Sequence, residues 1–280
     1  MYRIVDRKEL NKTVTQMEIE APLVAKKARA GQFVILRVDE EGERIPLTIA
    51  GYDRERGTIT VIFQIVGGTT ALLNGKKAGE FIADFAGPLG RPTQTDGLKK
   101  VCVVGGGVGC AIALPVARAL KESGAYVVSV VGFRSKELVI LEEEFAAVSD
   151  ELYLMTDDGS RGEKGNVCVP LERLLAAGEK FDEVITIGPL VMMKFVCETT
   201  RTYGVKTVAS MNPIMIDGTG MCGGCRLSVG GTMKFACVDG PEFDGHEIDF
   251  DEAISRSKTY AEFERHAYES ACNLLKKAVD

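Results

Sequence analysis

The chain has 280 residues, 45% of them hydrophobic, enough for one large or two ordinary domains with well-filled cores. Its 34 Lys+Arg against 40 Asp+Glu give a net charge of −6, which offers a polyanion no overall attraction and argues against a nucleic-acid partner. With only 2 His but 8 Cys, a His-rich metal site or a His-based triad has little to draw on, and chemistry is expected to run through sulfur, glycine-rich backbone or a cofactor.

The amino terminus, MYRIVDRKEL, carries charges at Arg3, Asp6, Arg7, Lys8 and Glu9 and so has no apolar signal-peptide core. The longest uncharged run, Val101 to Ala117, is short of the roughly 20 residues of a spanning helix and is broken by glycines and Pro115. A cytoplasmic protein with no membrane contact is expected, its cysteines reduced thiols or metal ligands rather than disulfides. Residues 1–97 read as short strands, among them Phe33 to Val38, Thr58 to Val66 and Phe81 to Phe85, with turn signals at Asp39–Gly42, Asp53–Gly57 and Gly87–Arg91. This spacing predicts a small antiparallel barrel.

From residue 98 to 210 strands and helices alternate: VCVVG, a helix from about Gly109 to Ser123, AYVVSVVGF, a helical ELVILEEEFAAV, LYLMT, a helix near Leu171 to Ala177, and EVITIG. That βαβ pattern predicts a parallel sheet. Residues 211–245 are dense in Gly, Cys and Asp with little periodicity, as expected where a metal organises the chain. Residues 246–280 read as a helical tail.

Three motifs carry the chemistry. Asp217-x4-Cys222-x2-Cys225-x11-Cys237 keeps the Cys-x4-Cys-x2-Cys spacing of plant-type 2Fe-2S sites, with a carboxylate at the first position. The competing reading is a structural zinc held by Cys222, Cys225, Cys237 and an oxygen ligand or His246. Cys102, Cys110, Cys168, Cys197 and Cys272 read as core residues. The second motif is a hydrophobic strand running into Gly105, Gly106, Gly107, Val108 and Gly109 and then a helix, whose bare amides suit a pyrophosphate. No acidic residue clearly closes the next strand, and Arg134, Ser135, Lys136 and Glu137 suit ribose or phosphate equally. The third pairs Arg44-Ile45-Pro46-Leu47-Thr48 with QIVGGTTALL, which contains Gln64, Val66, Gly67, Gly68, Thr69 and Thr70. A cation, a hydroxyl and a glycine-threonine loop are what a flavin nucleotide requires.

In this order the residues resemble the ferredoxin–NADP reductase superfamily and, within it, the electron-transfer subunits of dihydroorotate dehydrogenase. The resemblance spans RIPLTI, VGGTT, GPLGRP, VVGGGVGCA, GFRSKEL, TDDGSRGEKG, IGPLVMMK, the cluster loop and CVDGPEFDG. Asp217 points to the branch of small subunits of NADH-dependent reduced ferredoxin:NADP oxidoreductase. The resemblance implies an FAD barrel, a nicotinamide domain and a 2Fe-2S domain. Thr48 aligns with the flavin motif's hydroxyl, which leaves Arg44 one residue early for the motif's arginine. Gly67 to Thr70 match the FAD pyrophosphate loop, and Gly105 to Gly109, Asp157, Gly159, Gly188 and Pro189 match nicotinamide-nucleotide positions. It further implies NAD as the coenzyme, with NADP as the alternative, and a heterodimer with a larger flavin and iron–sulfur subunit that couples to ferredoxin in electron bifurcation. A dihydroorotate dehydrogenase partner and a non-catalytic nucleotide-binding module with a zinc loop are the rival expectations.

Overall fold

The computed structural model describes residues 1–277, with side chains to Glu269. The first seven strands are β1 (Tyr2–Asn11), β2 (Val14–Glu20), β3 (Phe33–Arg37), β4 (Arg44–Asp53), β5 (Thr58–Gln64), β6 (Phe81–Ile82) and β7 (Asp84–Leu89). They form one antiparallel sheet in the order β6-β1-β2-β5-β4-β3-β7. Its two edge strands are separated in sequence by Ala83 alone, so the sheet curls into a barrel. Inside lie Ile4, Met17, Ile19, Val34, Leu36, Ile49, Val61 and Phe63. Two short helices, α1 (Pro22–Ala25) and α2 (Gly68–Gly75), interrupt the barrel strands.

The nucleotide-type domain contains β8 (Lys100–Gly106), α3 (Cys110–Glu122), β9 (Tyr126–Phe133), α4 (Glu142–Val148), β10 (Glu151–Thr156), β11 (Glu163–Lys164), α5 (Cys168–Ala176), β12 (Glu183–Ile187), α6 (Leu190–Thr202) and β13 (Thr207–Ser210). The strands are parallel in the order β11-β10-β9-β8-β12-β13. Strand β8 shows why its apolar run is unbroken: Val101 and Val103 enter the core on one face of the sheet, and Cys102 and Val104 the core on the other. The last part of the chain supplies β14 (Arg226–Val229), β15 (Thr232–Phe235), α7 (Ala236–Asp239), β16 (Glu242–Asp244), α8 (Phe250–Ser257) and α9 (Ala261–Lys277). β14 and β15 form a hairpin, whereas β16 pairs antiparallel with β13 and extends the nucleotide-domain sheet. No helix among the described residues is long and apolar enough to cross a membrane.

Three local expectations are corrected. Gly87–Arg91 is not a turn from its start, because β7 runs to Leu89; Pro88 is tolerated there since β7 is an edge strand. Phe81 to Phe85 is two strands, broken at Ala83, whose amide donates to the carbonyls of Arg37 and Val38. ELVILEEEFAAV is not one helix. A single 3-10 turn at Lys136–Leu138 gives way to extended backbone that buries Ile140, Leu141 is left-handed at φ 61°, and the helix begins only at Glu142. Burial of Ile140 overrides the local helix preference, and Glu142, Glu143 and Glu144 then complement the positive end of α4.

The barrel and the nucleotide domain meet at a closed-off carboxyl. Thr93 Oγ1 donates to Glu242 Oε1 at 2.5 Å, and a Cβ on Gly31 would lie 3.1 Å from the same oxygen. Burial, reinforced by the charge of Glu183, pushes Glu242 up from 4.5 to about 7 against the Thr93 hydrogen bond. Between these values the unfolded chain ionises while the folded chain keeps its proton, so this group's stabilising contribution is full below pH 4.5 and lost as pH rises through 7. Glu242→Gln removes the titration and is therefore expected to raise stability at about pH 8 by on the order of 2–3 kcal/mol relative to its effect at about pH 4. Denaturant melts at the two pH values check this, and an equal shift at both refutes it.

Candidate functional site

The site is built on the outer face of β3 and β4. Register pairs Phe33 with Thr48, Ile35 with Pro46 and Arg37 with Arg44, so alternation puts these six residues on one side of the sheet. Ile45 and Leu47, between them, pack toward the barrel interior. Phe33 and Ile35 belong instead to the core that also holds Met193, Met211, Met215, Cys225 and Cys237. The strand that carries the predicted flavin residues Pro46 and Thr48 is thus paired with the strand on which the predicted cluster ligands rest.

The cluster loop is pressed directly on this wall. Gly218 has φ +73°, and a Cβ there would lie 2.7 Å from Leu89 Cδ1 and 3.1 Å from Ile35 Cγ1, so both conformation and space require glycine. Beside it, Asp217 Oδ1 accepts from the Thr219 amide at 2.8 Å and Oδ2 from the Cys222 amide at 3.0 Å. These amides, that of Thr219 foremost, hold the Asp217 carboxyl below its usual range, so it is an anion. Cys225 Sγ and Cys237 Sγ are 3.2 Å apart and buried, whereas Cys222 is exposed. Burial, then the neighbouring Cys225, pushes the Cys237 thiol up to about 12, so metal binding must release its proton.

The four predicted ligands therefore come as two pairs, Asp217 with Cys222 and Cys225 with Cys237. A binuclear cluster takes two protein ligands on each iron and fits that division. A single zinc needs three or four ligands around one point, whereas Cys225 and Cys237 are buried together and Cys222 is exposed. His246, the suggested fourth zinc ligand, is engaged elsewhere, its Nε2 3.0 Å from Thr200 Oγ1.

A cleft of ≈ 480 Å³ opens between the wall and the cluster loop, with Arg44, Ile35, Asp84, Asp217 and Thr219 in its lining. That size suits a cofactor ring. Arg44 is exposed in it and follows Glu43, which accepts from Thr69 Oγ1 at 3.1 Å and so ties the start of β4 to the start of α2. The Gly67–Thr70 turn is shaped by Thr70, whose Oγ1 accepts from the amides of Val66 and Gly67 at 3.0 Å each. Gly67 has nothing within 4 Å of a Cβ position, leaving open space at the helix start. Gln64 ends β5 against Val14 and leads into this turn.

The nucleotide residues gather at the carboxyl ends of the parallel strands, where open α/β sheets bind ligands. A Cβ on Gly109 would lie 2.6 Å from the Ile187 carbonyl oxygen and 2.7 Å from Gly188 Cα, so the turn after β8 packs on the turn after β12. Gly106 is closed against Met192 and Pro189, while Gly107, at φ +55°, faces open space. Val108 is partly buried on the α3 core. The loops after β9 and β10 are joined through the Asp157 amide to the Phe133 carbonyl at 3.0 Å and the Lys136 amide to Ser160 Oγ at 2.8 Å, which places exposed Arg134 beside Asp157 and Gly159.

Cys102, Cys110 and Cys197 are buried core residues, and burial raises all three thiols. Cys168 is only half-buried, and the side chain of Cys272 lies outside the described residues. Sequence reasoning missed Phe33, Ile35 and Met192. Nothing in their types distinguishes them from barrel or helix core, although the FVILR alternation already offered a second face.

Comparison with known proteins agrees with this geometry. The family model for the iron–sulfur cluster binding domain of dihydroorotate dehydrogenase B matches residues 212–249. The chain is 47% identical over 269 residues to the dihydroorotate dehydrogenase B (NAD(+)) electron transfer subunit homolog of Thermotoga maritima, covering 96% of this chain and 95% of that one. It is 34% identical over 254 residues to the corresponding electron transfer subunit of Geobacillus thermodenitrificans, covering 88% and 96%. A chain of the NADH-dependent reduced ferredoxin-NADP oxidoreductase, solved in work on flavin-based electron bifurcation, superposes with a TM-score of 0.92 at 44% identity over 96% of this chain and 97% of that one. The cytochrome b5 reductase domain of Ulva prolifera nitrate reductase, at 16% identity and TM-score 0.60 over 72% of this chain and 92% of that one, shares the fold alone. Antiparallel barrel, parallel-sheet domain and cluster domain match the expected architecture, and with it FAD, 2Fe-2S and NAD as the cofactors of an electron-transport flavoprotein. The chain belongs to the dihydroorotate dehydrogenase B electron-transfer subunit family, within the ferredoxin–NADP reductase superfamily.

Proposed function

We propose that the chain is the smaller subunit of an NADH-dependent ferredoxin:NADP oxidoreductase of the bifurcating kind, carrying electrons between NADH and a larger flavin and iron–sulfur subunit. The observation that carries this reading is the shared wall: Thr48 and Pro46 on β4 face the same way as Phe33 and Ile35 on β3, and Ile35 touches the cluster loop. FAD supplies the exchange between a two-electron hydride and the single electrons a 2Fe-2S cluster accepts. The protein's part is binding and positioning. Gly107 leaves room for the dinucleotide, Thr48 offers a hydroxyl and Arg44 a cation toward the flavin seat, and the Phe33–Ile35 core excludes water between the two sites. No side-chain acid or base is needed, in keeping with 2 His in the whole chain.

Asp217 in the first ligand position favours this partner over a dihydroorotate dehydrogenase, and the chain is 44% identical to the ferredoxin-NADP oxidoreductase chain against 34% to the Geobacillus thermodenitrificans dihydroorotate dehydrogenase B subunit. Around exposed Cys222, Met221 is 89% and Ile216 51% exposed, an apolar rim suited to a docked subunit. Anaerobic titration of the holoprotein with NADH is the test. Bleaching of flavin absorption followed by the electron paramagnetic resonance signal of a reduced 2Fe-2S cluster is expected. A colourless zinc protein, or cofactors left oxidised by excess NADH, refutes the reading, and copurification of a dihydroorotate-oxidising subunit reassigns the partner.

A further inference from the structure

Two arginines from different parts of the chain close on the turn between Cys222 and Cys225. Arg226 Nη1 donates to the Gly223 carbonyl at 3.1 Å, and Arg256 Nη2 donates to the Gly224 carbonyl at 3.3 Å. The Gly223 carbonyl shares its peptide group with the Gly224 amide, which donates to Cys222 Sγ at 3.5 Å. Arg226 is thereby joined to a ligand sulfur through one peptide: a cation at the oxygen polarises that peptide and makes its N–H a stronger donor. Arg256 comes from the last turn of α8, beyond the residues 212–249 matched by the cluster-domain family. Buried Phe250 fixes that helix, as does the Asp249 amide donating to the Ser228 carbonyl at 3.0 Å. Leu190, Met211, Ile214 and Leu227 line the same recess as the two arginines, so apolar side chains displace part of the water that would screen their charges. Neither arginine forms an ion pair with a carboxylate among the described residues.

We propose that Arg226 and Arg256 are positioning residues that hold the Gly223–Gly224 turn and raise the reduction potential of the 2Fe-2S cluster. This rests on the ligand set Asp217, Cys222, Cys225 and Cys237, and gives α8 a part in setting the potential. One-electron reduction adds a negative charge to the cluster. A nearby cation and a strengthened N–H···S bond therefore favour the reduced form over the oxidised one.

The experiment is an anaerobic redox titration of the holoprotein that follows the paramagnetic resonance signal of the reduced cluster. It compares the unaltered chain with Arg226→Gln, Arg256→Gln, the double variant and Arg256→Lys. Glutamine removes the charge but keeps an N–H donor, so the turn can persist. The double variant is expected to move the reduced-to-oxidised ratio at a given potential about tenfold toward the oxidised form, a fall of about 59 mV for a one-electron couple. Each single Gln variant should shift it about threefold, and Arg256→Lys, which keeps its charge, by less than Arg256→Gln, so the proposal stays testable if the double variant does not fold. Ratios within about twofold of the unaltered chain in the folded Gln variants, or a raised potential, overturn the proposal. Lost cluster occupancy with the remaining clusters at the original potential also overturns it, since the arginines would then only build the loop. An unaltered chain that assembles no 2Fe-2S cluster overturns the ligand set itself, and the proposal with it.

Discussion

Cys225→Ser is expected to leave the protein without its cluster. Cys225 Sγ lies 3.2 Å from Cys237 Sγ, inside the core that contains Phe33, Ile35 and Met215, and on the proposed ligand set the two thiolates would serve one iron. Cluster occupancy after reconstitution should fall below about one tenth of the wild-type value, because structural metal binding is coupled to a complete ligand set. The hydroxyl left in an apolar core should cost a further 1–3 kcal/mol, roughly, in a denaturant melt. Cys237→Ser should behave in the same way. Asp217→Asn is the informative contrast, since its side-chain oxygen still accepts from the Thr219 amide and preserves the turn but no longer offers iron an anion. It should retain a partial cluster with an altered paramagnetic resonance spectrum. Unchanged occupancy and spectrum in Asp217→Asn would show that the carboxylate only shapes the loop.

Gly109→Ala is expected to damage both the fold and coenzyme binding, whereas Gly107→Ala, two residues earlier, should affect chiefly binding. The methyl group at 109 would meet the Ile187 carbonyl oxygen at 2.6 Å and Gly188 Cα at 2.7 Å, and both are backbone that cannot rotate away. Relief requires α3 to retreat from β12, at a cost of about 2–3 kcal/mol by analogy with overpacked cores. At 107 a methyl group meets nothing within 4 Å, so the fold loses only the roughly 1 kcal/mol of a side chain in the left-handed region. On the proposed coenzyme site the dinucleotide approaches the turn through that open space, and NADH affinity should then fall at least about tenfold in both variants. Thermal melts alongside NADH titrations separate the two effects. A Gly109→Ala protein as stable as wild type would contradict the packing described here.

Much of this was legible in the residues. The hydrophobic runs of β8, β9 and β12 and the helix at Cys110–Glu122 followed from periodicity, because strands buried on both faces and a helix on a parallel sheet leave unmistakable patterns. The cluster domain followed from the spacing of Asp217, Cys222, Cys225 and Cys237, because a loop that wraps a small cluster has little freedom in where its ligands fall. What failed was local preference opposed by burial: the helix expected through ELVILEEEFAAV starts only at Glu142, since Ile140 is drawn into the core.

The sequence by itself determined which chemistry this protein carries, a 2Fe-2S loop, a nucleotide turn and a flavin motif, because each depends on residue types at short and fixed spacing. Only the tertiary structure decided how the elements that carry them come together. The register of β3 on β4 sets Pro46 and Thr48 beside the core that holds Cys225 and Cys237, the approach of β12 to β8 leaves no room for a side chain at Gly109, and α9 returns to meet Gly68 from some 200 residues away. Contacts between residues so far apart in the chain arise from packing, and no local pattern encodes them.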